Sequence, residues 1–450
     1  MRKTENYKIK RIMLAIFMLS IFGADKLAAQ NPIIKNQFTA DPSARVFGDK
    51  VYLFPSHDIL ATPGKGRVGW FAMEDYHVFS SSDLVAWKDH GVIVTQNKVP
   101  WVKPDSYSMW APDCIERNGK YYFYFPSTPA DTTQGRGFNI GVAVADKPEG
   151  PYIPQKKPIK GVKGIDPNVF IDKDGQAYLY WSQGNIYGAK LKENMLELAS
   201  EPVILQDLPT KGLKEGPYLF ERKGIYYLTY PHVENKIERL EYAIGDNPLG
   251  PFKRTGVVMD ESPTGCWTNH HSFIEFKNQW YLFYHHNDYS PDFDKARSVR
   301  IDSLFFNADG TIQKVIPTLR GVGLTNAKDK IQIDRYSEIN NAEIAFIDTA
   351  KKFEGWKIVF NQAGSWAKYN SVDFGKAKFK TVLLKVRAND GGAVEIKDGK
   401  GGVMAKIHIP KMNNWDVIEA LVRLSENGIQ NLLISNDSNQ KIEIDWLSFK

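Results

Sequence analysis

The chain has 450 residues, 42% of them hydrophobic and 13% aromatic, enough for one large core and a second, smaller domain. Of the formal net charge of +6, residues 1–29 alone hold +4, with six basic side chains against two acidic ones. The remainder is too little for a basic patch, so no nucleic-acid partner is expected.

The chain opens on a basic stretch, Met1–Arg11, followed by a 13-residue apolar run, Ile12–Ala24, and small residues at Ala28 and Ala29. That run is short for a bilayer span and reads as a signal peptide over residues 1–29, with an uncleaved anchor as the alternative. The expectation is a secreted protein, periplasmic or extracellular, with no stable membrane insertion after cleavage. Two cysteines, Cys114 and Cys266, exclude by count a CxxC-type metal site and a disulfide framework. They read as two buried free thiols, one bridge between them remaining open.

From Asp41 onward one pattern recurs five times: an apolar run, a tight polar turn, then an aromatic run. The copies start at Asp41 (DPSARVFGDKVYLF), Ala111, Asp166, Gly216 and His270, at spacings of 70, 55, 50 and 54 residues. Each turn (Gly48-Asp49, Asn118-Gly119, Asp174-Gly175, Lys223-Gly224, Lys277-Asn278) suits a β-hairpin. Further strand-like pieces follow at 76–80, 141–145, 186–191 and 238–243. The spacing is that of a four-stranded blade, so residues 30–325 are expected to form a five-bladed β-propeller. Beyond 325 the chain changes to short alternating runs such as TVLLKVRA and IEIDWLSF. These predict a jelly-roll-like β-sandwich over 330–450, after a linker at 326–330, in an all-β protein.

In a propeller the innermost strands surround one channel, so equivalent first residues converge on its mouth. That position holds Asp41, Ala111, Asp166, Gly216 (with Glu215 just before it) and His270. One Asp-Pro is most often a turn residue, Glu215 alone could be a solvated loop charge, and His270 a satisfied core histidine. Three carboxylates at the matching end of successive hairpins point instead to a site. Paired carboxylates beside aromatic residues suit glycoside hydrolysis, where one acid donates to the departing oxygen and another takes a proton from water.

At these residues the sequence resembles glycoside hydrolase family 43. The likeness runs from about Asn36 to Leu319 through the Asp41 block, the HD of PSHD, SMWAPD, GIDPNVF, KEGPYLF, NHHSF and RSVRIDSLFFNADGT. The resemblance implies an inverting mechanism with Asp41 as general base, Glu215 as general acid, and Asp166 raising the pKa of Glu215 and orienting it. It further implies substrate contacts from Trp110, His270, Arg297, His57 and Asp58, with Phe71, Tyr76 and Trp267 at the pocket rim or in the core. His270 matches an axial histidine near a calcium or water. His271 competes for that role, and a structural calcium stays open. No cofactor is required for the chemistry.

The C-terminal stretch resembles carbohydrate-binding module family 6 through IQIDRYSEI, GSWAKYNSVDFG, NNWD and IDWLSF. Trp366, Tyr369 and Trp415 are the candidates for stacking on sugar. Ile333-Asp334 stands where that family has Ala-Glu, which puts its calcium site in question. The expected function is an exo-acting β-D-xylosidase or α-L-arabinofuranosidase on plant polysaccharide. An endo-arabinanase and a non-catalytic sugar-binding propeller are the alternatives.

Overall fold

The repeated hairpins turn on residues that accept positive φ. Asn118-Gly119, Lys223-Gly224 and Lys277-Asn278 hold both turn positions there, at 53° and 72°, 53° and 84°, and 51° and 62°. That geometry matches the twist of paired strands, so these three hairpins close in two residues. The computed structural model describes residues 30–133, 136–424 and 426–450; the expected signal peptide lies outside these.

Four blades are four-stranded antiparallel sheets in sequence order. The first consists of Ala40–Phe47, Lys50–Ser56, Asp75–Ser81 and Lys88–Thr95. The others begin at Asp113, Ile165 and Tyr218. Each first strand lies against those of the blades before and after it, and the ring of five is closed.

The fifth blade has three strands, His271–Phe276, Gln279–His286 and Ser298–Leu304. Its outer edge is completed by the start of the described chain. The Ile33 N–H donates to the Val299 carbonyl at 3.0 Å and the Thr39 N–H to that of Arg297 at 2.9 Å. Asn31 extends this pairing with its side chain, donating to the Ile301 carbonyl at 3.0 Å and accepting the Ile301 N–H at 2.9 Å. A buried carboxamide thus continues the sheet edge.

The second domain packs two six-stranded sheets around a core that includes Ile333, Phe360, Tyr369, Leu432 and Ile444. Its first strand, Thr325–Asn326, already pairs with Trp366–Asp373, so the sandwich starts before the expected linker. The domains meet through Tyr289 stacked on Trp356, with centroids 5.3 Å apart, beside Leu319 and Phe38. Among the described residues there is no α-helix, and no helix long and apolar enough to cross a membrane. Cys114 and Cys266 are both free and buried.

Candidate active site

Asp41 and Asp166 sit at the starts of two inner strands with φ of 46° and 58°. Both strands slip register there, between Ala40 and Ser43 and opposite Tyr180 and Ser182. Such bulges re-aim a side chain out of the ladder, and aspartate tolerates the left-handed region better than most residues. In the fourth blade the equivalent position is Gly216, with φ of 53°. A Cβ there would come within 3.0 Å of Pro231 and 3.2 Å of His270, so glycine is needed beside Glu215. The three acids therefore reach one cavity of about 400 Å³ at the mouth of the channel. Trp70, Phe71, Met73, Trp110 and Trp267 form its apolar walls.

Arg297 organises one side of the floor. Its Nη1 and Nη2 donate to the two oxygens of Asp41 at 2.8 and 3.1 Å. Its Nε and Nη2 donate to Asp58, both at 2.9 Å. Ser56 adds a hydroxyl to Asp41 at 2.7 Å. Burial alone would raise the pKa of Asp41, but Arg297, helped by the Ser56 hydroxyl, more than offsets this and holds it at about 2. One guanidinium cannot neutralise two buried carboxylates: Asp58, deeper, is drawn upward by burial despite Arg297. The Asp41 N–H donates to His285 Nδ1 at 3.0 Å, so His285 is an acceptor there and is held neutral by its burial.

Among the described residues, no lysine or arginine pairs with the acids on the other side of the floor. Asp166 accepts the Gly216 N–H at 2.9 Å, which ties it to the peptide that follows Glu215. Burial raises the pKa of Asp166, with the charges of Glu215 and Asp41 adding to it. Burial also raises Glu215. A fourth carboxyl, Glu238, lines the same cavity and was not anticipated from the sequence. It begins the third strand of its blade, outside the repeated hairpin. The available signal was its parity: Glu238 shares its strand face with Leu240 and Tyr242, both buried.

Trp110, Phe71, Trp267, His270 and Arg297 line the cavity as expected; His57 and Asp58 do not. The His57 ring bonds the Asp75 carboxylate at 2.7 Å, toward the first blade's third strand. Asp58 lies beneath Arg297 and can act only through it. Tyr76 is fully buried, its hydroxyl donating to the Trp110 carbonyl at 2.6 Å, so it supports the wall from behind. His270 faces the cavity with Nδ1 3.7 Å from Asp41, whereas His271 turns inward to the Thr229 hydroxyl at 2.6 Å. Segment 59–74 supplies Trp70 and Phe71 to the wall. Segment 97–107 only braces it, the Met73 N–H donating to the Tyr107 carbonyl at 3.1 Å.

Calcium fits poorly beside His270. A hard cation takes six to eight oxygens, whereas His270 offers a nitrogen and the Asp41 oxygens already serve Arg297 and Ser56. In the sandwich, Asp334 lies 3.0 Å from the Arg335 guanidinium, though neither of its buried oxygens accepts a hydrogen bond, and Asp445 pairs with Lys385 at 2.7 Å. Among the stacking candidates, Tyr369 is a core residue, 2% exposed and bonded to the Ile333 carbonyl. Trp415 carries the Arg387 guanidinium over its ring at 5.1 Å, and Trp366 is half-buried.

Residues 29–312 match the family model of glycosyl hydrolases family 43. The chain belongs to that family. Residues 335–450 match that of carbohydrate binding module family 6. The family 43 enzyme is 36% identical to a xylosidase/arabinosidase of Bacteroides ovatus, over 62% of this chain and 95% of the relative. It is 36% identical to xylosidase/arabinosidase 43A of Humicola insolens, over 62% and 98%. A solved β-xylosidase/α-arabinofuranosidase from a compost microbial metagenome, in complex with xylotriose in a calcium-free form, is 34% identical with a TM-score of 0.57. That match spans 64% of this chain and 98% of the other. The protein is accordingly an inverting glycoside hydrolase with a five-bladed propeller, and its chemistry needs no cofactor.

Proposed function

We propose that this enzyme releases single xylose or arabinose units from plant hemicellulose, with Asp41 as general base and Glu215 as general acid. The observation that carries the assignment is the uneven floor of the cavity. Of the four carboxyls on that floor, Asp41 alone is paired with a cation and kept anionic, while a fifth, the partly exposed Asp294, lines the cavity paired with Lys295. Glu215 sits among acids, and burial raises its pKa above the ordinary carboxylate value.

Asp41 accepts a proton from a water, whose oxygen bonds to the anomeric carbon. On the opposite face, the bond to the leaving oxygen breaks as Glu215 donates its proton to that oxygen. The anomeric configuration inverts, through an oxocarbenium-like transition state. Asp166 fixes the Glu215–Gly216 peptide and keeps a like charge near the acid. Trp110, Phe71 and Trp267 offer flat apolar faces to the sugar ring. The wall from segment 59–74 favours release of single sugars over a groove that binds mid-chain. No step passes through calcium, given the donor sets above. The basic and then apolar leader in 1–29 supports export to the periplasm or beyond, and cleavage there would leave no membrane anchor.

The test uses purified enzyme with aryl β-D-xyloside and aryl α-L-arabinofuranoside, and proton NMR of the first sugar released. Release of either sugar with inverted configuration is expected. Folded enzyme that releases neither overturns the proposal.

A further inference from the structure

Glu238 has a carboxyl that nothing in the reaction above uses. It is 1% exposed and lines the same cavity as Glu215. Its Oε2 accepts the Asn269 N–H at 2.7 Å, which fixes how the carboxyl is turned. Its Oε1 is buried and receives no N–H or hydroxyl donor. The group it meets is the carboxyl of Glu215, which lines the same cavity and interacts with it side chain to side chain. Two ionised carboxylates offer one another only acceptors and like charge. A proton between them removes that conflict and satisfies the buried Oε1, and burial without a paired cation favours keeping it there.

We propose that Glu238 is a positioning residue for the general acid, sharing a proton with Glu215 and holding its carboxyl in place within the cavity. The proposal rests on Glu215 being the acid. Asn269 orients Glu238, Glu238 orients Glu215, and Asp166 fixes the following peptide, so the acid is held from two directions. The pair carries one proton to a higher pH than Glu215 would alone, and the active form persists accordingly.

Glu238→Gln tests this. The Asn269 N–H would orient the amide with its carbonyl oxygen outward to that donor and its NH2 toward Glu215. An amide donor stabilises the Glu215 carboxylate and cannot hold a shared proton. The basic limb of kcat/KM on xylobiose is expected to move down by about one pH unit or more, with KM at the optimum little changed. Glu238→Asp withdraws the carboxyl by one methylene and is expected to move the limb the same way, by less. It serves as the second variant should the first fail to fold. A basic limb unmoved in a folded variant overturns the proposal. Glu215→Ala separates the two readings. If it lowers xylobiose turnover by about a hundredfold or more while the Glu238 variants keep the wild-type limb, only the role of Glu238 falls. If it leaves xylobiose turnover intact, the assignment of the acid falls and this proposal with it.

Discussion

The two sides of the cavity floor hold the same functional group in opposite states. On one side Asp41 meets Arg297 through two hydrogen bonds and Ser56 through a third, and its pKa is held at about 2. On the other, Asp166, Glu215 and Glu238 crowd together, and among the described residues none of them forms an ion pair with a lysine or arginine. All three are raised, burial being the main cause. Burial acts on both sides alike, so the difference comes from where one guanidinium sits. A base and an acid at neutral pH need no more than that asymmetry.

Removing the guanidinium should erase the difference. Arg297→Met leaves Asp41 and Asp58 buried without their cation, which costs about 3–5 kcal/mol of folding stability. Urea denaturation at pH 7 should show that loss, with activity falling to background in whatever remains folded. Asp41→Asn deletes the base while keeping an αL-tolerant residue at φ 46°. It should lower kcat about 10³-fold, within the span for general-base catalysis, with KM nearly unchanged. Glu215→Ala should cost about 10²-fold on xylobiose and much less on an activated aryl glycoside, whose leaving group needs little protonation. Equal losses on both substrates would argue against the division of labour between the two sides.

How far the sequence revealed this division follows from where each residue lies. Asp41, Asp166 and His270 share the phase of one repeated hairpin and Glu215 stands one residue before it, so a five-bladed ring had to bring them to one rim. Glu238 lies outside that phase, and only its place on an inward strand face distinguishes it. His57 was misread because its neighbour Asp58 carries the contact to Arg297, while the imidazole turns to Asp75. Tyr369 alternates with half-buried residues in a strand, and which face is buried depends on how the second sheet packs. The closure by Asn31 depends on a side chain imitating backbone, which has no periodic signal.

The finest contrast between the two sides lies in how each couples folding to pH. Asp41 has a folded pKa below the ordinary carboxylate value of about 4. Its stabilising contribution is present above that value and is lost as the pH falls toward 2. Asp166 is shifted the other way, so its contribution is full below about pH 4 and is lost as the pH rises through the raised folded value. At pH 8 the folded state therefore works against Asp166. Asp166→Asn keeps an acceptor for the Gly216 N–H and suits φ 58°, but carries no charge to repel Glu215. It should stabilise the fold by on the order of 1 kcal/mol at pH 8 and by progressively less toward pH 4, while lowering kcat/KM on xylobiose. Melts of the variant and wild type across that range measure it. A gain that does not shrink at low pH would place the effect in packing, and the repulsion among the three acids would no longer explain the raised side of the floor.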